Sequence, residues 1–221
     1  MINPNLNYGS IPPRLSGLRL LFQSLTNSLT KQSLDLSSFA NDNKLKMVDS
    51  NETSKLLPLS VSSSGAIYST SNGVQFDDGS TLYFISYNMQ TKTSSATSQL
   101  RWYGVISFDV PKSYAYTMAL QRKYASYDYI NRQRVSNTAE LTLEGDFSKT
   151  FIVMTDQTDP KQALEFLTPD VMYAITDTTL MTSCEVFGNK VSVLCNVLGQ
   201  DRESIKKFIS YYAELQQKII Y

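Results

Sequence analysis

Not one histidine occurs among the 221 residues. That absence removes Ser-His-Asp and Cys-His nucleophile pairs, the usual general base near neutral pH, and most transition-metal sites. A catalyst built from this chain would rest on carboxylates, lysine, tyrosine or a hydroxyl. Cysteine is scarce too. Cys184 and Cys195 are the two present and no CxxC occurs, so neither a disulfide framework nor a thiolate metal cluster is supported. Charge is sparse at 18% of residues, and Lys+Arg and Asp+Glu both number 20. No global field therefore steers the chain to nucleic acid or to an acidic membrane. No apolar run approaches the roughly 18 residues of a membrane span. The opening "MINPNLNYGSIPPRLSG" lacks a basic segment followed by an apolar one, so it is not a secretory signal. These absences read as a soluble, cytoplasmic chain that calls for no cofactor and no metal.

What is present supports a folded core. Hydrophobic residues make up 42%, and Ser, Thr, Asn and Gln take the place of the missing charge. Residues 1–14 are Asn- and Pro-rich and read as an extended or disordered arm. Leu18, Leu21, Phe22, Leu25 and Leu29 recur at helical spacing and predict a helix over 16–31. Residues 33–65 read as a long irregular connection with one short strand at 56–61. Residues 15–65 thus form an N-terminal helix and connection, and 66–221 an α+β domain. Asn72-Gly73 is a hairpin signal, and Asp78-Gly79 marks a second turn. Strands follow at 82–90 and 100–110, and Pro111 either ends the second or sits where no ladder donor is needed. Residues 113–120 read as the next strand of an antiparallel meander. "AELTLEGDF" and "KTFIVMTD" are two strands around Gly145, and "MTSCEVF" and "VSVLCNV" form a hairpin across Gly188-Asn189. A helix runs from about residue 202 to the end.

Four constellations could carry function. A two-residue turn at Gly188-Asn189 puts Cys184, Val186, Val191, Val193 and Cys195 on one face, so both thiols read as small core residues. Asp156, Asp159, Glu165, Asp170 and Asp177 could make a carboxylate pair or a hard-cation site, the basis of a carboxylate-dependent hydrolase. The favoured reading is capping, because Asp159-Pro160 and Thr168-Pro169 each place a cap before a proline that opens a helix. Arg122, Lys123, Arg132 and Arg134 interleave with Tyr124, Tyr127 and Tyr129, as in single-strand nucleic-acid grooves, though the zero net charge disfavours that partner. Ile205, Phe208, Tyr212, Leu215 and Ile219 repeat at spacings of 3 and 4. Two heptads favour packing on the domain's own core, with self-association or a partner helix as the alternative. The helix ends uncapped on "QQKIIY", so the natural chain is expected to continue past Tyr221.

The order of "WYGVISFDVPKSY", "LEGDFSKTF", "ALEFLTPDVM" and "CEVFGNKVSVL" resembles proteins of candidate-phyla bacteria of the Saccharibacteria type, over residues 82–197. It is more distantly similar to a wider bacterial domain-of-unknown-function family. Members of that family often carry transmembrane helices beside this domain, which implies a role at the cytoplasmic face of a membrane. This chain departs from them in lacking such a helix. The expected fold is α+β: an antiparallel sheet, meander plus C-terminal hairpin, with short helices and flanking N- and C-terminal helices. The expected function is a non-enzymatic interaction or scaffold module at that membrane face. Nucleic-acid binding through 121–137 and a hydrolase are the alternatives.

Overall fold

The computed structural model describes residues 36–58, 68–89, 99–123, 138–143, 145–156, 158–177, 181–196 and 202–220. The expected arm over 1–14 and the helix over 16–31 lie outside them. The connection expected at 33–65 is not irregular where it is described. Helix α1 (Leu36–Asn43) buries Leu36, Phe39 and Ala40, the i, i+3, i+4 stripe of one helical face. Strand β1 (Lys46–Val48) joins the sheet edge, and helix α2 (Ser50–Lys55) follows. Asp49 caps α2: its Oδ1 accepts the backbone N–H groups of Asn51 (2.8 Å) and Glu52 (3.0 Å). Leu56 and the next two residues are not a strand; 59–61 lie outside the described residues.

Strands β2 (Tyr68–Thr70) and β3 (Gly73–Gln75) both pair with β4 (Thr81–Met89), through Tyr68↔Tyr87 and Val74↔Leu82. The hairpin expected at Asn72-Gly73 is therefore corrected. The two short strands run the same way along one side of β4, with Ser71 and Asn72 as an offset between them. Gly73 serves close packing and not a turn. A Cβ there would lie 2.8 Å from Thr53 Cγ2 and 3.0 Å from the Leu82 carbonyl oxygen. The turn expected at Asp78-Gly79 is present. Gly79 has φ 85°, and Asp78 Oδ1 accepts the Ser80 N–H at 2.9 Å.

Segments β5 (Gln99–Arg122) and β8 (Met181–Asn196) form the centre of the sheet. Residues 103–109 pair antiparallel with 190–196 (Tyr103↔Asn196, Asp109↔Lys190), and 117–121 pair with 183–187 (Thr117↔Phe187, Gln121↔Ser183). Thr182 Oγ1 donates to the Leu194 carbonyl oxygen across 3.1 Å. A straight strand rising about 3.3 Å per residue would hold those residues about 40 Å apart. Hence β8 folds back at Gly188-Asn189 as the expected hairpin, and β5 passes round its tip. Gly188 has φ 61° while Asn189 is not left-handed, the pattern of a type II′ turn with glycine first. Pro111 lies in the register break between Asp109 and Tyr114, where no ladder N–H is required. The simple meander is thereby corrected: residues 113–120 are the second arm of β5, and the β8 hairpin separates the two arms.

Strands β6 (Thr138–Leu141) and β7 (Phe151–Asp156) pair as expected, Thr138↔Asp156 to Leu141↔Val153. Gly145 (φ 79°) and the one-turn helix α3 (Phe147–Thr150) connect them. A 3₁₀ turn (Pro160–Gln162) and helices α4 (Ala163–Phe166), α5 (Pro169–Thr176) and α6 (Arg202–Ile220) complete the chain. All strand pairs are antiparallel within one eight-stranded sheet, ordered β1-β3-β4-β5-β7-β6 with β8 against β5. The fold is α+β. Its main core joins Leu82, Phe84, Ile106, Val186 and Val193 of the sheet to Phe208, Tyr212 and Leu215 of α6. Phe108 meets the Tyr212 ring edge-on at 5.2 Å. On the opposite sheet face, Tyr83, Ile85, Tyr103, Val105 and Leu194 form a smaller cluster, with Leu56 and Leu57 packed against it.

Candidate functional site

The residues singled out in the sequence are mostly consumed by the fold. Phe208, Tyr212 and Leu215 are fully buried in the chain's own core, and Ile219 packs beside them. Those three are spent within the molecule and present nothing to a partner; the side chain of Ile205 lies outside the described residues. Cys184 and Cys195 sit in that same core with Val186, Val191 and Val193, as the turn arithmetic required. Burial pushes both thiols up to about 12, so neither is a thiolate near neutral pH. Of the Tyr-basic segment, Arg122 and Lys123 are described. Arg122 Nε donates to the Met181 carbonyl oxygen (3.3 Å), and its guanidinium stacks 4.7 Å over the Phe151 ring. Burial holds its pKa below the ordinary value. Tyr124, Tyr127, Tyr129, Arg132 and Arg134 lie outside the described residues.

The acids do not converge. Asp156 Oδ1 accepts the backbone N–H (2.8 Å) and hydroxyl (2.6 Å) of Thr158, which holds its carboxyl below the usual range. Asp159 stands at the N-cap of the 3₁₀ turn, yet its carboxylate accepts the Gln162 side-chain amide at 3.1 Å instead of a backbone N–H. Glu165 pairs with Lys112 at 2.7 Å. Thr168 caps α5: its hydroxyl oxygen accepts the Val171 N–H at 3.4 Å, with Pro169 at the first helical position and Asp170 in the first turn. Among the described residues no group of three or more His, Cys, Asp or Glu could hold a metal ion.

A concave feature lies elsewhere, a cleft of about 400 Å³. Its lining comes from β1 and α2, from Gln75, Gly79 and Thr81 around the β3–β4 turn, from residues 107–109 of β5 and from Lys190 of β8. Three lysines (Lys46, Lys55, Lys190) and three acids (Asp49, Glu52, Asp109) line it. The charges are largely paired: Lys55 to Glu52 at 2.6 Å and Lys190 to Asp109 at 3.3 Å, with Asp49 engaged as the α2 cap. The hydrogen bond to Glu52 holds the Lys55 ammonium above its ordinary pKa. Two lining residues are tied into the fold behind: the Ser107 hydroxyl shares a buried 2.9 Å hydrogen bond with that of Ser192, and the Leu56 carbonyl oxygen accepts the Tyr83 hydroxyl at 2.7 Å. Burial raises the Tyr83 pKa well above the ordinary value, so that phenol is a neutral donor and not a base. Sequence reading missed this cleft because its lining comes from four separated segments. One signal was legible: Asp49 with Glu52 three residues on, the spacing of a capped helix start.

These observations define an α+β protein built on one antiparallel sheet, with a polar, charge-balanced cleft at one end. No family model matches the chain, including any for the wider bacterial family expected from its motifs, and no curated protein matches it. Among solved structures, that of the mycobacterial trehalose monomycolate transport factor A is similar, with a TM-score of 0.53 and 13% identity over 93% of this chain and 97% of that one. At that identity the likeness is one of fold. No helix among the described residues is long and apolar enough to cross a membrane.

Proposed function

We propose that this chain is a non-enzymatic module that works beside a membrane transport assembly, bound to a protein partner at the cytoplasmic face. The observation that carries this reading is the likeness to a transport factor along 93% of the chain and 97% of the neighbour, so it is the whole architecture that is shared. The consumption of the thiols, the acids and Arg122 by packing, capping and pairing is consistent with a module that binds and does not catalyse. The burial of Phe208, Tyr212 and Leu215 supports a partner surface elsewhere than the α6 seam. The test is to purify the full chain by an affinity tag from detergent-solubilised membranes of its own cell. A multi-span transport protein co-eluting in fixed ratio is expected. Elution of the folded chain alone, or with soluble proteins only, would contradict the proposal.

A further inference from the structure

Two buried polar atoms of α6 are left over by the fold. Tyr212 and Gln216 stand four residues apart, so they share one face of the helix, and both side chains are buried. Among the described residues neither the Tyr212 hydroxyl nor Gln216 Oε1 has a hydrogen-bond partner. The other end of the Gln216 amide is engaged: its Nε2 donates to Asp78 Oδ2 at 3.2 Å. Asp78 Oδ1 accepts the N–H (2.9 Å) and the hydroxyl (2.5 Å) of Ser80, which is fully buried. Burial, and then the Asp78 carboxylate, raise the Tyr212 pKa well above its ordinary value, and the Ser80 hydroxyl offsets part of the rise. The phenol therefore stands beside the same turn as a neutral group. Both leftover atoms face one polar spot between α6 and the β3–β4 turn, and their demands are complementary. Gln216 Oε1 needs a donor, and the phenol needs an acceptor for its proton. Unmet inside the core, each carries the full cost of its desolvation. Asp78 disfavours an anion there. Both its oxygens already accept hydrogen bonds, and among the described residues no three acids or thiols gather for a metal ion. One water molecule meets both demands: its oxygen accepts the phenol proton and one of its own protons goes to Oε1. Its second proton is left for Asp78 or Ser80, which makes the three bonds typical of a buried water.

We propose that a buried water bridges Tyr212 and Gln216 of α6 to the turn at Asp78-Gly79-Ser80 and so holds the C-terminal helix to the sheet. The inference rests on these residues alone, so its failure would leave the transport proposal standing, and the reverse also holds. A crystal structure of the full chain, at a resolution that orders waters, tests it directly. A water within about 2.5–3.2 Å of both Tyr212 Oη and Gln216 Oε1 is expected. Stability gives a second readout. Removing a hydroxyl that has no partner is neutral or stabilising, whereas removing one bonded to a trapped water takes away a partner that the water needs. Tyr212→Phe is therefore expected to lower the folding equilibrium constant about tenfold in urea melts. Gln216→Met loses the Asp78 bond as well and is expected to lower it further. The double variant is expected to lose less than the product of the two single losses, because both act on one water. A site without a water, a direct Tyr212–Gln216 or Tyr212–Asp78 hydrogen bond, or an ion at the metal–oxygen distances below about 2.5 Å would each overturn the proposal. So would a Tyr212→Phe variant as stable as the parent, or single losses that simply multiply.

Discussion

Burial decides the chemistry of single side chains in this protein. Burial pushes each cysteine thiol up to about 12 in the folded chain, from an ordinary value of 9.0. Folding therefore binds protons in that window. The stability is complete below pH 9 and falls by up to about 1.4 kcal/mol per pH unit per thiol as pH rises toward 12. Tyr83, Tyr211 and Tyr212, all raised by burial, steepen the fall in the same direction. Urea midpoints measured from pH 8 to 11 are expected to drop accordingly, and both thiols should react with a chromogenic disulfide reagent only on unfolding. Gly73→Ala should cost about 1–3 kcal/mol, because the added methyl meets Thr53 Cγ2 and the Leu82 carbonyl. Thr168→Ala should cost about 1 kcal/mol of helix capping, read by the same melts. The thiol faces and the Thr168 cap were legible because turn arithmetic and capping are local rules. Gly73 was misread for a physical reason: its missing side chain makes room for α2, a contact with a residue 20 positions away.

At the scale of elements, the β8 hairpin and the two arms of β5 fix the sheet. The hairpin places Thr182 opposite Cys195 in a pair without mutual backbone hydrogen bonds, where Cα atoms lie about 4.5 Å apart. Thr182→Cys should therefore cross-link to Cys195 on mild oxidation, which mass spectrometry would detect. Gly188→Ala should cost about 1–3 kcal/mol, since φ 61° strains any residue with a Cβ. Phe208→Ala should destabilise the chain by about 3–5 kcal/mol and leave its oligomeric state unchanged, because Phe208 faces the chain's own core. Calorimetry and sedimentation would check the two halves of that statement. Apart from β1, which fell in the stretch read as an irregular connection, the strands, the hairpin and α6 were visible in residue periodicity. The wedge of β8 between the arms of β5 was not, since strand order depends on contacts between segments about 80 residues apart. The short helices α1 and α2 escaped because eight and six residues carry too little periodicity.

At the scale of the whole molecule, the proposed function rests on the architecture shared with a transport factor. The sheet is continuous from β1 to β6, the α6 seam is internal, and the polar cleft opens at the end where β1, α2 and the β8 hairpin meet. Beyond the Asp49–Glu52 spacing, that cleft could not be read from the sequence, because its lining is assembled only when residues 46–56, 75–81, 107–109 and 190 come together. Exposed Tyr173 and Phe187 are large apolar side chains with more than half their surface open, and they are practical places from which to probe for a partner. The decisive measurement is in-cell photo-cross-linking of the full chain, with the reactive residue placed in turn at Tyr173, Phe187 and Lys55 and the products read by mass spectrometry of the membrane fraction. The proposed function predicts adducts to one multi-span transport protein from at least one position. Adducts to soluble proteins alone, or none from any position in a chain shown to be folded, would contradict it.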